Sequence, residues 1–184
     1  MMIYVVIGIV LLIIIYIVVM HNVFIKMNNR VNEAFSTMDV YLKKRWDLIP
    51  SIVETVKGYA KHEKNTLTEV INFRNGKGNY DNLSNDEKIK ANEQLSNSIS
   101  QIIALSESYP KLKANENYKE LSNDLVKIED DIANSRKYFN GTVREFNNKV
   151  QMFPSNIIAK MFGYKVKNMF EAKEDERKNL KVKM

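Results

Sequence analysis

The chain has 184 residues, a formal net charge of +6, 45% apolar residues, six glycines, three prolines and no cysteine. The absence of cysteine excludes disulfides, thiolate zinc sites, iron–sulfur clusters and cysteine nucleophiles. A basic balance raises nucleic acid as a partner, but in a tethered chain attraction to anionic lipid headgroups is the simpler account, many Lys/Asn-rich sequences are basic for no binding reason at all, and no nucleic acid is expected.

From Met2 to Met20 the sequence carries no charge, no proline and one glycine, Gly8. In a helix, such a run of about 19 residues spans roughly the 30 Å hydrocarbon layer of a bilayer. No basic residue precedes it and Val18-Val19-Met20-His21 offers no small-residue cleavage pattern, so an uncleaved anchor is read rather than a signal peptide. Lys26, Arg30, Lys43, Lys44 and Arg45 follow the run, which by the positive-inside rule places the N-terminus outside and the C-terminal domain in the cytoplasm.

Beyond the anchor, Phe24, Met27, Val31, Ala34/Phe35, Met38, Tyr41/Leu42 and Ile49 recur in steps of three and four, which predicts an amphipathic helix. No breaker separates it from the apolar run, so one helix is predicted from residue 2 to residue 47, closed by Pro50, which starts a second helix. That helix carries Ile52/Val53, Val56, Tyr59/Ala60, Leu67, Val70/Ile71 and Phe73 and ends at Asn75-Gly76-Lys77-Gly78. Ser84 and Glu87 match a capping box for a third helix with Leu95, Ile99, Ile102/Ile103 and Leu105 inward. The fourth has the cleanest stripe, from Tyr118 through Leu125, Ile132, Ser135, Phe139, Val143 and Phe146 to Phe153. Gly141 within it suggests a close helix approach, and Pro154 ends it. The reading is all-α: an N-terminal transmembrane helix continuous with a long antiparallel four-helix bundle. The domains are an anchor over 1–21, a helical bundle over 22–162 and a charged tail over 163–184.

Together, several stretches resemble the LemA family of bacterial membrane proteins. They are Asp39-Val40-Tyr41-Leu42-Lys43-Lys44-Arg45-Trp46-Asp47-Leu48-Ile49-Pro50 running into Val56-Lys57-Gly58-Tyr59-Ala60-Lys61-His62-Glu63, then Tyr138-Phe139-Asn140 with Phe146-Asn147, and Phe153-Pro154-Ser155-Asn156-Ile157-Ile158-Ala159-Lys160-Met161-Phe162-Gly163-Tyr164. The resemblance implies an anchored helical bundle and implies no enzyme. Ser51 stands where the family usually has asparagine, and Asp130-Asp131 where it tends to have Asn-Arg.

The chemical motifs are weak. His62-Glu63 lacks the second histidine of a zinc-protease helix, Thr66 standing there, and His21 is the only other histidine. Glu129-Asp130-Asp131 point in different directions on a helix and read as a solvated face. Gly76-Lys77-Gly78 has no phosphate-loop spacing. No catalytic, cofactor or metal residues are therefore assigned, and no cofactor. Two segments carry functional readings. Lys43, Lys44, Arg45, Trp46 and Asp47 gather charge around one aromatic: either a corner in which Trp46 packs, Asp47 caps the next helix and Arg45 pairs with a nearby carboxylate, or a docking site for a protein partner. Ile157, Ile158, Lys160, Met161, Phe162, Lys165 and Lys167 mix apolar and basic residues as a membrane-surface segment does, or cap the end of the bundle. The functional reading is a membrane-tethered scaffold or protein-interaction module, held in the bilayer by residues 2–20. The alternative is a membrane sensor relaying an envelope signal through the stalk helix, against which almost nothing lies outside to sense with.

Overall fold

The fold is taken from a computed structural model, which describes residues 1–60, 64–76 and 78–170. Among the described residues there is no strand. The helices are α1 (Met2–Lys57), α2 (Lys64–Gly76), α3 (Asn85–Glu107), α4 (Pro110–Ala114), α5 (Glu116–Gln151) and α6 (Ser155–Met161), with a 3-10 turn over Tyr80–Asn82 before α3. The chain is all-α with a long apolar N-terminal helix, and α1 is long and apolar enough to cross a membrane, its most apolar stretch wholly exposed.

The boundary between the first two helices differs from that expected. Helix α1 does not stop at residue 47 but continues through Pro50 to Lys57. Pro50 is exposed, while Ile49, Ile52 and Val53 around it are buried. The gain from burying this stripe outweighs the loss of one backbone hydrogen bond at the proline. The break comes later, at Gly58-Tyr59-Ala60, where the amides of Tyr59 and Ala60 both donate to the Val56 carbonyl. At the third start the capping box is present. The Ser84 amide donates to Glu87 Oε2 at 2.8 Å, and the Glu87 amide donates to Ser84 Oγ at 3.4 Å.

The residues divide into two compact units, one of residues 1–36 with 136–184 and one of residues 37–135. In the first, α1 and α5 run antiparallel. Phe35 meets Phe139 at 5.8 Å between ring centroids, Arg30 pairs with Glu145 at 3.2 Å, and Phe24 meets Phe146 at 6.1 Å. Val31, Ala34, Val143 and Ile158 complete this core. In the second, Met38, Leu42, Trp46, Ile49, Leu95, Ile102, Leu125 and Ile132 are buried. The predicted α5 stripe is covered except at its end, where Phe153 is 79% exposed. Gly141 marks no close approach, since a Cβ there would meet nothing within 4 Å.

Candidate functional site

In the unit of residues 37–135, a stripe position that helical spacing reserves for an apolar residue holds Arg45, which is 1% exposed. Its Nη1 donates to Glu129 Oε1 at 2.7 Å and to Ser96 Oγ at 2.9 Å. Its Nη2 donates to the Asn92 carbonyl at 2.7 Å and to Asn92 Oδ1 at 2.9 Å, and Nε donates to the same Oδ1 at 3.2 Å. A buried guanidinium is tolerable only if its forked donors are all engaged, and here each nitrogen has a partner.

The network continues through Asn92, which donates to the Tyr80 hydroxyl at 3.3 Å. Tyr80 in turn donates to Asp39 Oδ1 at 2.8 Å, and Lys88 Nζ pairs with Asp39 Oδ2 at 2.6 Å. Burial first, and then the hydrogen bond to Asp39, push the Tyr80 phenol well above its ordinary value. Trp46 is buried with its ring 5.4 Å from that of Tyr80.

The five residues of the corner thus separate. Arg45 and Trp46 point into their own unit, so neither presents a surface. Lys44 and Asp47 are exposed and Lys43 is half-buried. Lys43 pairs with Asp47 at 3.2 Å and with Asp81 at 3.6 Å, and the hydrogen bond to Asp47 raises its ammonium above the ordinary value. Asp47 caps no helix, because α1 runs on through it. Glu129 belongs to the Arg45 network rather than to a wholly solvated acidic face, while Asp130 and Asp131 are exposed. An apolar cavity between Ile52, Ile99, Ile102, Tyr118 and Leu125 holds about 10 Å³, room for about one water and no organic ligand.

In the unit of residues 1–36 with 136–184, the segment after α5 is held by two asparagines. The amide of Phe170 donates to Asn140 Oδ1 at 2.7 Å, and Asn140 Nδ2 donates to the Phe170 carbonyl at 2.8 Å. Asn147 makes the same pair with Lys167, both bonds at 2.8 Å. Seven residues of helix rise about 10.5 Å and three of extended chain span about 10 Å, so the two clamps share one register. Residues 163–170 therefore lie along α5, which the charged-tail reading did not foresee. Upstream, Ser155 Oγ donates to the carbonyl of Lys149 at 2.6 Å and to that of Met152 at 2.9 Å, closing the end of α5.

Of the membrane-surface residues, Ile158 is buried and Lys167 half-buried. Ile157, Lys160, Met161, Phe162 and Lys165 are exposed. Phe162 packs on His21 with 4.1 Å between ring centroids, and Tyr164 stacks on Phe24 at 4.7 Å. His21 is thus an aromatic contact. His62 and Glu63, Lys77 of the glycine turn and the tail from Glu171 lie outside the described residues. Among the described residues no cluster of three or more His, Asp or Glu could hold a metal. Sequence reasoning gave no role to Asn92, Asp39, Asn140 or Asn147. The available signal was positional, since Asn92 falls three residues before Leu95 on the buried stripe, and Asn140 and Asn147 are seven apart on one helix face.

A model of the LemA family matches residues 34–184. The chain is 24% identical over 156 residues to Protein LemA of Metamycoplasma hominis, covering 85% of this chain and 71% of that protein. It is 22% identical over 177 residues to magnetosome protein MamQ 1 of Paramagnetospirillum magneticum and to magnetosome protein MamQ of Magnetospirillum gryphiswaldense, covering 83% of this chain. It spans 65% of the length of each of these magnetosome relatives.

Proposed function

The chain belongs to the LemA family of membrane-associated helical proteins, and we propose that it is a single-pass, membrane-tethered scaffold or protein-interaction module without catalytic activity. Residues 2–20 span the bilayer with the N-terminus outside, and the helical units stand at the cytoplasmic face. The observation that supports this most is where the polar groups are spent. Arg45, Glu129, Asn92, Tyr80, Asp39 and Lys88 hydrogen-bond to one another. A catalytic group must face a bound substrate, whereas this network serves to fix helix register, the best-attested use of a buried ion pair. What the corner leaves on the surface, Lys43, Lys44 and Asp47, is where a protein partner docks.

A photo-cross-linking amino acid at Lys44 of the full chain in native membranes tests this, with the same group at exposed Lys137 as control. One discrete protein adduct at position 44 and none at 137 is expected. No adduct at 44, together with a small molecule that co-purifies stoichiometrically, would overturn the scaffold reading in favour of an enzyme.

A further inference from the structure

After the apolar run, thirteen large hydrophobic side chains are exposed among the described residues, and seven of them fall between Met152 and Met169. Phe153 is 79% exposed, Ile157 58% and Met161 55%. Helix α6 buries Ser155, Ile158 and Ala159 and turns Ile157 and Met161, four residues apart, outward. A water-facing helix buries one apolar stripe, as Ile158 and Ala159 are buried here, and carries polar residues rather than a second apolar pair on its outer side. Exposed apolar side chains gathered in one short segment in this way mark a site that something covers.

Three observations say what covers it. The first is level. In this unit α5 descends along α1, from Phe139 beside Phe35 to Phe146 beside Phe24, so its end at Gln151 comes level with the last turns of the apolar run. Phe162 then packs on His21, the first residue after that run. Tyr16, Ile17 and Met20, still inside the run, are already half-buried. The exposed face of α6 therefore continues the lipid-facing surface of α1 at its membrane exit. The second is charge. Residues 146–170 contain Lys149, Lys160, Lys165 and Lys167 and no aspartate or glutamate. The third is rigidity: Asn140 and Asn147 clamp the chain on the far side of α6, so the patch is held in place at no further ordering cost.

We propose that α6 and its flanks, Phe153 to Lys167, form a second membrane contact. Phe153, Ile157, Met161 and Phe162 enter the acyl–headgroup boundary, and Lys160 and Lys165 meet anionic headgroups. This rests on residues 2–20 spanning the bilayer, and the experiment separates the two. The chain has no cysteine, so single spin labels are placed without background at Phe153→Cys, Ile157→Cys, Val126→Cys and Val10→Cys in the full chain. Each is reconstituted in phosphatidylcholine bilayers with and without phosphatidylglycerol. The ratio of accessibility to oxygen over a water-soluble nickel chelate is read at each site. At 153 and 157 it is expected at about fivefold or more above the value at 126, rising further with phosphatidylglycerol. Values at 153 and 157 equal to that at 126, with position 10 in lipid, would overturn the contact and leave the anchor standing. A water-accessible position 10 would overturn the anchor and the contact with it. Equal immersion in both bilayers would overturn the role of the lysines. Spin–spin broadening at 157 between copies would show that a second chain, not lipid, covers the patch.

Discussion

Glu129→Ala tests the buried network at its most consequential bond. Removing the partner of a fully buried charge costs about 3–5 kcal/mol. Here the Glu129 side chain is 39% exposed, so water reaches the vacated site, and about 2 kcal/mol is expected once screening is allowed for. Arg45→Met removes the cation and strands Asn92 Oδ1 and the Glu129 carboxylate, while Ser96 Oγ keeps its donation to the Asn92 carbonyl at 3.1 Å, for about 2 kcal/mol in all. If the two residues act as a pair, Arg45→Met with Glu129→Leu costs about 1–2 kcal/mol less than the sum of the single changes. The chain contains one tryptophan, and Trp46 is buried in this unit. Its fluorescence during urea unfolding of the full chain in detergent therefore reports the relevant transition. A Glu129→Ala shift below about 0.5 kcal/mol, with an additive double variant, would refute the reasoning.

Tyr80, whose phenol is raised above its ordinary value of 10.0, contributes stability that is present below pH 10 and lost as pH rises beyond it. Alkaline titration of unfolding should show an added loss of up to about 1.4 kcal/mol per pH unit that Tyr80→Phe abolishes; parallel curves for the two proteins would refute it. Pro50→Ala restores a backbone donor in a continuous helix and should stabilise by about 2 kcal/mol, net of the chain entropy it returns to the unfolded state. Destabilisation would show that the helix does turn at Pro50. Asn140→Ala or Asn147→Ala should raise hydrogen exchange at the Phe170 or Lys167 amide about tenfold, each at its own site. Unchanged protection would show that something else holds this segment.

The helical class, the apolar span and the α5 stripe were legible in the sequence because each rests on periodicity over many turns, as Leu125, Ile132, Phe139 and Phe146 show. The boundary at Pro50 was misplaced because the rule is local. Proline costs one hydrogen bond, and the burial of Ile49, Ile52 and Val53 on either side outweighs it, a balance set by packing. The Arg45 network was half visible. A charged residue near a tryptophan on a buried stripe signals a buried pair, but Glu129 lies 84 residues away and sits beside two exposed acids that disguise it. The asparagine clamps were hidden for a similar reason, since Asn140 and Asn147 bond to backbone atoms and leave no trace in the identity of residues 167 and 170.

The side of the membrane on which the helical units stand bears most directly on the whole account. Lys44→Cys introduces one thiol at an exposed position of a chain that has none. It can be probed in intact cells with a membrane-impermeant maleimide, before and after permeabilisation. A tethered scaffold facing the cytoplasm predicts no labelling of intact cells and full labelling once they are opened. Labelling of intact cells would contradict it and place the helical units outside.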